Sequence, residues 1–96
     1  MGHATIKGQR KGLEVLNDDG REYHKLYDTV IVEHKGDKVT LNTGGWKTNH
    51  TKNCMNDFLK RFGFGVFQKD FKWYVKGPNE TFSFDEDKVS FTLGVL

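Results

Sequence analysis

The chain has 96 residues, 35% of them hydrophobic and 29% charged, with a net charge of +2 and one cysteine. These values describe one soluble domain, residues 1–96, large enough to bury its own core, and they exclude a second domain and an internal disulfide. Eight Phe, three Tyr and two Trp mean that rings more than aliphatic side chains fill that core, and the single Cys54 fits a reducing, intracellular compartment.

Met1-Gly2-His3-Ala4-Thr5-Ile6-Lys7-Gly8 has no apolar run of the kind a signal peptide needs, and no segment approaches the ~20 apolar residues of a membrane span. Asn49-His50-Thr51 and Asn79-Glu80-Thr81 match a glycosylation pattern that has no meaning without secretion. Gly8, Gly12 and Asn17-Asp18-Asp19-Gly20 punctuate Leu13-Glu14-Val15-Leu16, which predicts a short edge strand ending in an Asp-Gly turn. Asp28-Thr29-Val30-Ile31-Val32-Glu33 is β-branched, and Lys38-Val39-Thr40-Leu41-Asn42 alternates after the turn residues His34-Lys35-Gly36-Asp37, so a hairpin is expected here.

Leu41-Asn42-Thr43-Gly44-Gly45-Trp46-Lys47-Thr48 joins that hairpin to a helix. Paired glycines free the backbone to turn N–H groups outward, Lys47 adds a cation, and the helix start brings unsatisfied N–H groups of its own. Gly44, Gly45, Lys47 and Thr48 are therefore a candidate anion site, although Trp46 stands where a Walker A loop has its last glycine. Beside the helix start, Trp46 is expected to pack into the core or to stand out as a contact anchor, with packing favoured.

Thr51, Met55, Phe58, Leu59 and Phe62 recur at i, i+4, i+7, i+8 and i+11 and form one apolar stripe. Thr48 or Asn49 serves as N-cap, Gly63 stops the helix, and Asp57 and Arg61 are spaced for a surface pair. Lys52, Asn56 and Lys60, with Asn53 beside them, make a polar ridge opposite the stripe. Strands follow at 64–69 and 71–76, joined through Lys69-Asp70, with Phe71, Trp73 and Val75 on one face and Lys72, Tyr74 and Lys76 on the other. Gly77-Pro78-Asn79 breaks the sheet. A last hairpin carries Phe82 and Phe84 in one arm and Val89, Phe91 and Leu93 in the other, with Asp85-Glu86-Asp87 as its acidic tip. The fold class is α+β: an antiparallel sheet built from hairpins with one central helix packed across it.

Charge is segregated along the chain. Residues 47–76 hold seven basic side chains against Asp57 and Asp70, whereas residues 77–96 hold four carboxylates against Lys88. Such a distribution steers a polyanion or an acidic surface to one side, or is simply a solvated surface of mixed sign. Trp46, Lys47, Lys52, Asn56, Lys60, Lys72, Tyr74 and Lys76 are the candidate partner-binding residues, since interleaved cations and rings suit phosphates and bases. No RNP sequence or Gly-x-x-Gly clamp accompanies them. His50 and Cys54 have the spacing of two metal ligands but lack convincing partners, so no metal or cofactor is expected and Cys54 is expected to be buried. No Gly-x-Ser-x-Gly, His-Glu-x-x-His or tuned carboxylate pair occurs, so the chain is not expected to be an enzyme.

At residues 41–48, on through Thr51-Lys52 to Met55-Asn56, and again at Val66-Phe67-Gln68-Lys69 and Trp73-Tyr74-Val75, the chain resembles small uncharacterised proteins of tailed bacteriophages. Those proteins show Gly-Gly-Trp, a basic residue and Thr, then a Thr-Lys pair opening a helix with Met-Asn inside. The resemblance spans roughly residues 25–76 and implies a phage protein made in the host cytoplasm. In that setting the leading expectation is an accessory protein that binds and inhibits a host factor by steric block, an anti-CRISPR-like protein being the sharpest version. The acidic tip Asp85-Glu86-Asp87 offers a variant in which carboxylates mimic phosphates. The competing expectation is a direct DNA- or RNA-binding protein using the same basic residues. A third is a nucleotide-binding protein using Gly44 and Gly45. Oligomeric state is open, because an exposed edge strand pairs two copies in some sheets.

Overall fold

Antiparallel strands take up most of the chain because apolar residues alternate with charged ones and because the turns between them accept left-handed backbone. A computed structural model describes the backbone of residues 3–7 and residues 11–93. Nine strands and one helix are found among the described residues. The first sheet has six strands in the order β1 (His3–Lys7), β2 (Leu13–Asp18), β3 (Arg21–Leu26), β4 (Thr29–Lys35), β5 (Lys38–Asn42) and β9 (Lys88–Thr92). The second has three: β6 (Gly65–Lys69), β7 (Lys72–Lys76) and β8 (Thr81–Ser83). All pairings are antiparallel, which makes the fold α+β as expected. Gly8 of the expected N-terminal punctuation lies outside the described residues.

Asp19-Gly20 turns β2 into β3 with both φ angles positive, the twist a two-residue hairpin needs. The strand that follows, β3, is not foreshadowed by its sequence, and the reason is chemical. Arg21, Tyr23 and Lys25 face outward while Glu22 and His24 accompany Leu26 on the inner face, so the usual apolar alternation is absent. Between β3 and β4 the register shifts at His24/Lys25, and this bulge lets the consecutive residues Ile31 and Val32 both be fully buried.

Helix α1 (Asn49–Leu59) begins at Thr48, whose hydroxyl accepts from the Thr51 N–H at 3.2 Å, and it buries Thr51, Cys54, Met55, Phe58 and Leu59. A 3-10 turn (Lys60–Phe62) extends it, and Gly63 closes it at φ 81, the left-handed stop the sequence predicts. Arg61 sends its guanidinium to Glu22 of β3. No helix among the described residues is long and apolar enough to cross a membrane.

Two expectations about the C-terminal half are corrected. Phe82 and the strand Lys88–Thr92 do not form one hairpin. Instead β8 pairs with β7, and β9 crosses to pair with β5, leaving Asp85 and Lys88 as an isolated bridge. The physical reason is that β5 needs a neighbour: Val89 and Phe91 lie opposite Leu41 and Val39 and close the core there. Phe82 and Phe91 still stack, rings 5.5 Å apart, but from different sheets. The second correction concerns Phe71. The β6–β7 turn is Asp70-Phe71, not Lys69-Asp70, so Phe71 leaves the Trp73 and Val75 face and is 92% exposed. Both sheets and the helix meet at a core that includes Phe58, Leu59, Phe64, Val66, Trp73, Val75 and Phe91.

Candidate functional site

The Gly44-Gly45 turn is built by its own hydrogen bonds. Gly44 has φ 59, and a Cβ there would stand 2.6 Å from the Thr29 methyl, so only glycine fits. The Gly44 N–H donates to Asn42 Oδ1, the Gly45 N–H to Thr43 Oγ1, the Trp46 N–H to the Thr43 carbonyl and the Thr48 N–H to the Trp46 carbonyl. Thr48 Oγ1 is the helix cap, and Lys47 lies 3.6 Å from Asp87. The turn's donors are thus occupied within the loop, and the anion cradle expected at Gly44, Gly45, Lys47 and Thr48 has few groups left to offer. Trp46, for which packing was the favoured expectation, is 52% exposed.

The helix ridge faces the edge of the three-stranded sheet. Asn56 acts on the free edge of β6 as a strand would: its Nδ2 donates to the Val66 carbonyl at 3.2 Å and its Oδ1 accepts from the Val66 N–H at 2.6 Å. This satisfies an edge peptide and denies it to another chain. Lys52 donates to Gln68 Oε1 at 3.4 Å and sits 5.7 Å from the centre of the Trp73 ring. Lys60 stays exposed. His50 bonds the Lys11 carbonyl and Cys54 is fully buried as expected, so these two do not meet as ligands.

The remaining candidates converge on the outer face of the three-stranded sheet. Register sets three rows there: Lys69 opposite Lys72, Phe67 opposite Tyr74 beside Ser83, and Gly65 opposite Lys76 beside Thr81. The Phe67 and Tyr74 rings are stacked, with centroids 5.2 Å apart at 20°. This pair forms a ridge between two clefts. On the Tyr74 side a groove of about 460 Å³ is lined by Lys47, Phe71, Lys72, Trp73, Ser83, Phe84 and Glu86. On the Phe67 side a cleft of about 500 Å³ is bordered by Lys60 and Lys76, with Phe64 and Val66 at its base. Six of the eight predicted contacts, Lys47, Asn56, Lys60, Lys72, Tyr74 and Lys76, therefore border this ridge and its two clefts, with Asp57 and Glu86 among them. Sequence reasoning missed Phe67, Phe71 and Lys69. The period-two pattern placed Phe67 and Lys69 on that face, but their juxtaposition depends on register with β7.

A second cluster, also unforeseen, lies inside. Glu22 Oε2 and His24 Nε2 are 2.6 Å apart, His34 Nδ1 is 3.9 Å from Glu22 Oε1, and Arg61 donates to both Glu22 oxygens at 3.1 and 3.0 Å. The rings of His24, His34 and Phe62 pack round Phe58, and Arg61 lies over it at 4.6 Å. Burial lowers the His24 pKa from its ordinary value, outweighing the hydrogen bond to Glu22 that raises it. For Glu22, burial opposes ionisation but the hydrogen bonds from His24 and Arg61 win, and its pKa is lowered. A carboxylate beside an imidazole suits acid–base chemistry in general. Here the His24 ring sits against Phe58 and the Glu22 carboxylate is held by Arg61, and these contacts fasten the helix end to the sheet.

A family model described as the Kyanoviridae Gp96 protein matches residues 6–94. No curated protein matches the chain. No solved structure matches it either. With nearly the whole length covered, the chain belongs to the Kyanoviridae Gp96 protein family, a family of small phage proteins.

Proposed function

We propose that this phage protein is a non-catalytic binding module that holds single-stranded nucleic acid on the outer face of its three-stranded sheet. The observation that carries this reading is the stacked Phe67–Tyr74 pair standing between the Lys69 and Lys72 row and Lys76. Rings that stack on bases and cations that neutralise phosphates are what a single strand needs, and neither depends on base identity. Lys69 and Lys72 lie directly opposite one another, a like-charge pairing that disfavours the free sheet and is relieved by a polyanion. Lys47 at the groove wall and Lys60 at the cleft extend the cationic border.

The test is fluorescence anisotropy with a labelled oligothymidylate in rising salt. Wild type is expected to bind with a steep salt dependence, and Phe67→Ala/Tyr74→Ala to lose roughly tenfold or more in affinity, in keeping with ~1–3 kcal/mol per stacked base. Absence of binding at low salt, or an unchanged double variant, rejects the reading.

A second reading keeps the host-factor inhibitor, made and acting in the host cytoplasm, and the observation favouring it is Phe71. An aromatic ring at a hairpin tip, 92% exposed, is the form of an anchor that enters a partner's pocket. A stoichiometric host protein retained from nuclease-treated lysate by wild type and lost with Phe71→Ala supports it. Retention unaffected by that substitution counts against it.

A further inference from the structure

The six-stranded sheet has an outer face that the candidate site does not use. It lies on the far side of the core from the three-stranded sheet, since the inner faces of both sheets carry the buried Val39, Leu41, Phe91, Val66 and Val75. Register places Arg21, Lys35 and Lys38 side by side across β3, β4 and β5, each the direct partner of the next. Like charges opposite one another disfavour a sheet. The carboxylates that answer them gather at Arg21: Glu33 reaches it at 3.9 Å and Asp18 is its cross-strand partner on β2, whereas among the described residues neither Lys35 nor Lys38 has an ion-pair partner. Together with Lys88 these cations border a shallow basin of about 380 Å³, whose floor includes Thr40 and Ser90, hydroxyl to hydroxyl at 2.9 Å.

Charge complementarity names the occupant. Four cations against Glu33, with a floor of hydroxyl groups, fit phosphate oxygens. Among the described residues the basin is lined by no aromatic ring, and Tyr23 beside it is partly buried with its hydroxyl 3.5 Å from Arg21 Nη1, so bases have no ring there to stack on. We infer that this basin is a second, independent binding surface, for the sugar–phosphate backbone of duplex nucleic acid, read without regard to sequence. One molecule then presents a duplex-facing sheet and a strand-facing sheet on opposite sides.

The experiment is anisotropy with a labelled mixed-sequence DNA duplex, using the full chain as wild type, Lys35→Ser/Lys38→Ser, Lys35→Arg/Lys38→Arg and Phe67→Ala/Tyr74→Ala, with a thermal melt of each. The serine variant is expected to lose roughly tenfold or more in affinity and to flatten the salt slope by about two, the number of phosphate contacts removed. Its melting midpoint should hold or rise, because the repulsion is gone. The arginine and ring variants should bind the duplex as wild type does. Failure of wild type to bind duplex, undiminished binding by the serine variant, or a lowered midpoint accompanying its loss overturns the inference. Duplex binding lost only in the ring variant also overturns it and returns all binding to the three-stranded sheet. Duplex binding that depends on Lys35 and Lys38 with no single-strand binding sustains it while the proposed function above fails.

Discussion

Two groups of rings and charges stand about the core, and they differ in what their side chains have left to do. Under β3 and β4, Glu22, His24, His34, Arg61, Phe58 and Phe62 contact one another, and every ring in the group has a ring partner within 5.5 Å. On the three-stranded sheet, among the described residues, Phe67 and Tyr74 stack only on each other, Phe71 points into solvent, and Lys69, Lys72 and Lys76 are exposed. The same residue types are engaged within the fold in one place and left open to solvent in the other. A variant in the first group should lower stability and leave intrinsic affinity alone, and one in the second should lower affinity without lowering stability.

The strongest test of that division is Phe58→Ala. Phe58 is 1% exposed and touched by His24, His34, Phe62 and Arg61, so its loss opens a cavity beside buried polar groups. A cost of roughly 3–5 kcal/mol is expected in urea unfolding. A cost below ~1 kcal/mol would mean that the cluster is not part of the stabilising core.

Next in size is Asn56→Ala, which leaves the Val66 N–H and carbonyl at the edge of β6 without partners and is expected to cost about 1–3 kcal/mol. The same variant should associate more readily at high concentration, as sedimentation would report, because an edge is uncovered. Asn56 was a candidate contact by its place on the ridge, and this measurement separates a structural pin from a binding residue.

The buried cluster also predicts a pH dependence. His24 has a folded-state pKa below its ordinary 6.5, so the unfolded chain takes up that proton first, and stability falls as pH drops below about 6.5. Glu22 has a folded-state pKa below its ordinary 4.5, so its contribution is present above that value and is lost as pH falls further. Urea midpoints across this range should show both steps. Glu22→Gln should abolish the lower one and keep the upper one, since burial is what lowers His24. A wild type equally stable throughout the acid range would contradict the cluster's geometry.

Most of the fold was legible where pattern and environment agree. Strand β4 is β-branched and β5 alternates cleanly, and the apolar stripe of α1 runs from a threonine cap to Gly63. Strand β3 was illegible because Glu22 and His24 face inward, and what makes that tolerable is Arg61, 39 residues away. The split of β8 from β9 was illegible because Phe82 and Phe91 would satisfy either pairing; only the open edge of β5 decides. In the candidate site, Lys72, Tyr74 and Lys76 followed from alternation, whereas Phe71 was misassigned by one residue at the turn, which carried it from the inner face to solvent.

That turn gives the smallest effect and the most discriminating one. Asp70 and Phe71 both have positive φ, 54° and 67°, a conformation that suits Asn-Gly and strains a phenylalanine. Tyr27 has positive φ too, but its N–H donates to the Gly12 carbonyl and its ring covers Gly12, so its conformation is held by contacts. Phe71, 92% exposed, has no such compensation. Phe71→Gly is therefore expected to raise stability by about 0.5–1 kcal/mol, since relief of strain exceeds the entropy glycine adds to the unfolded chain. It should at the same time weaken binding at the three-stranded sheet, measured with the oligothymidylate or with a captured host protein. A strained, exposed ring whose removal stabilises the fold and lowers affinity is retained for contact. If removal destabilises the fold, Phe71 belongs with the buried group, and the division between the two regions does not hold at this turn.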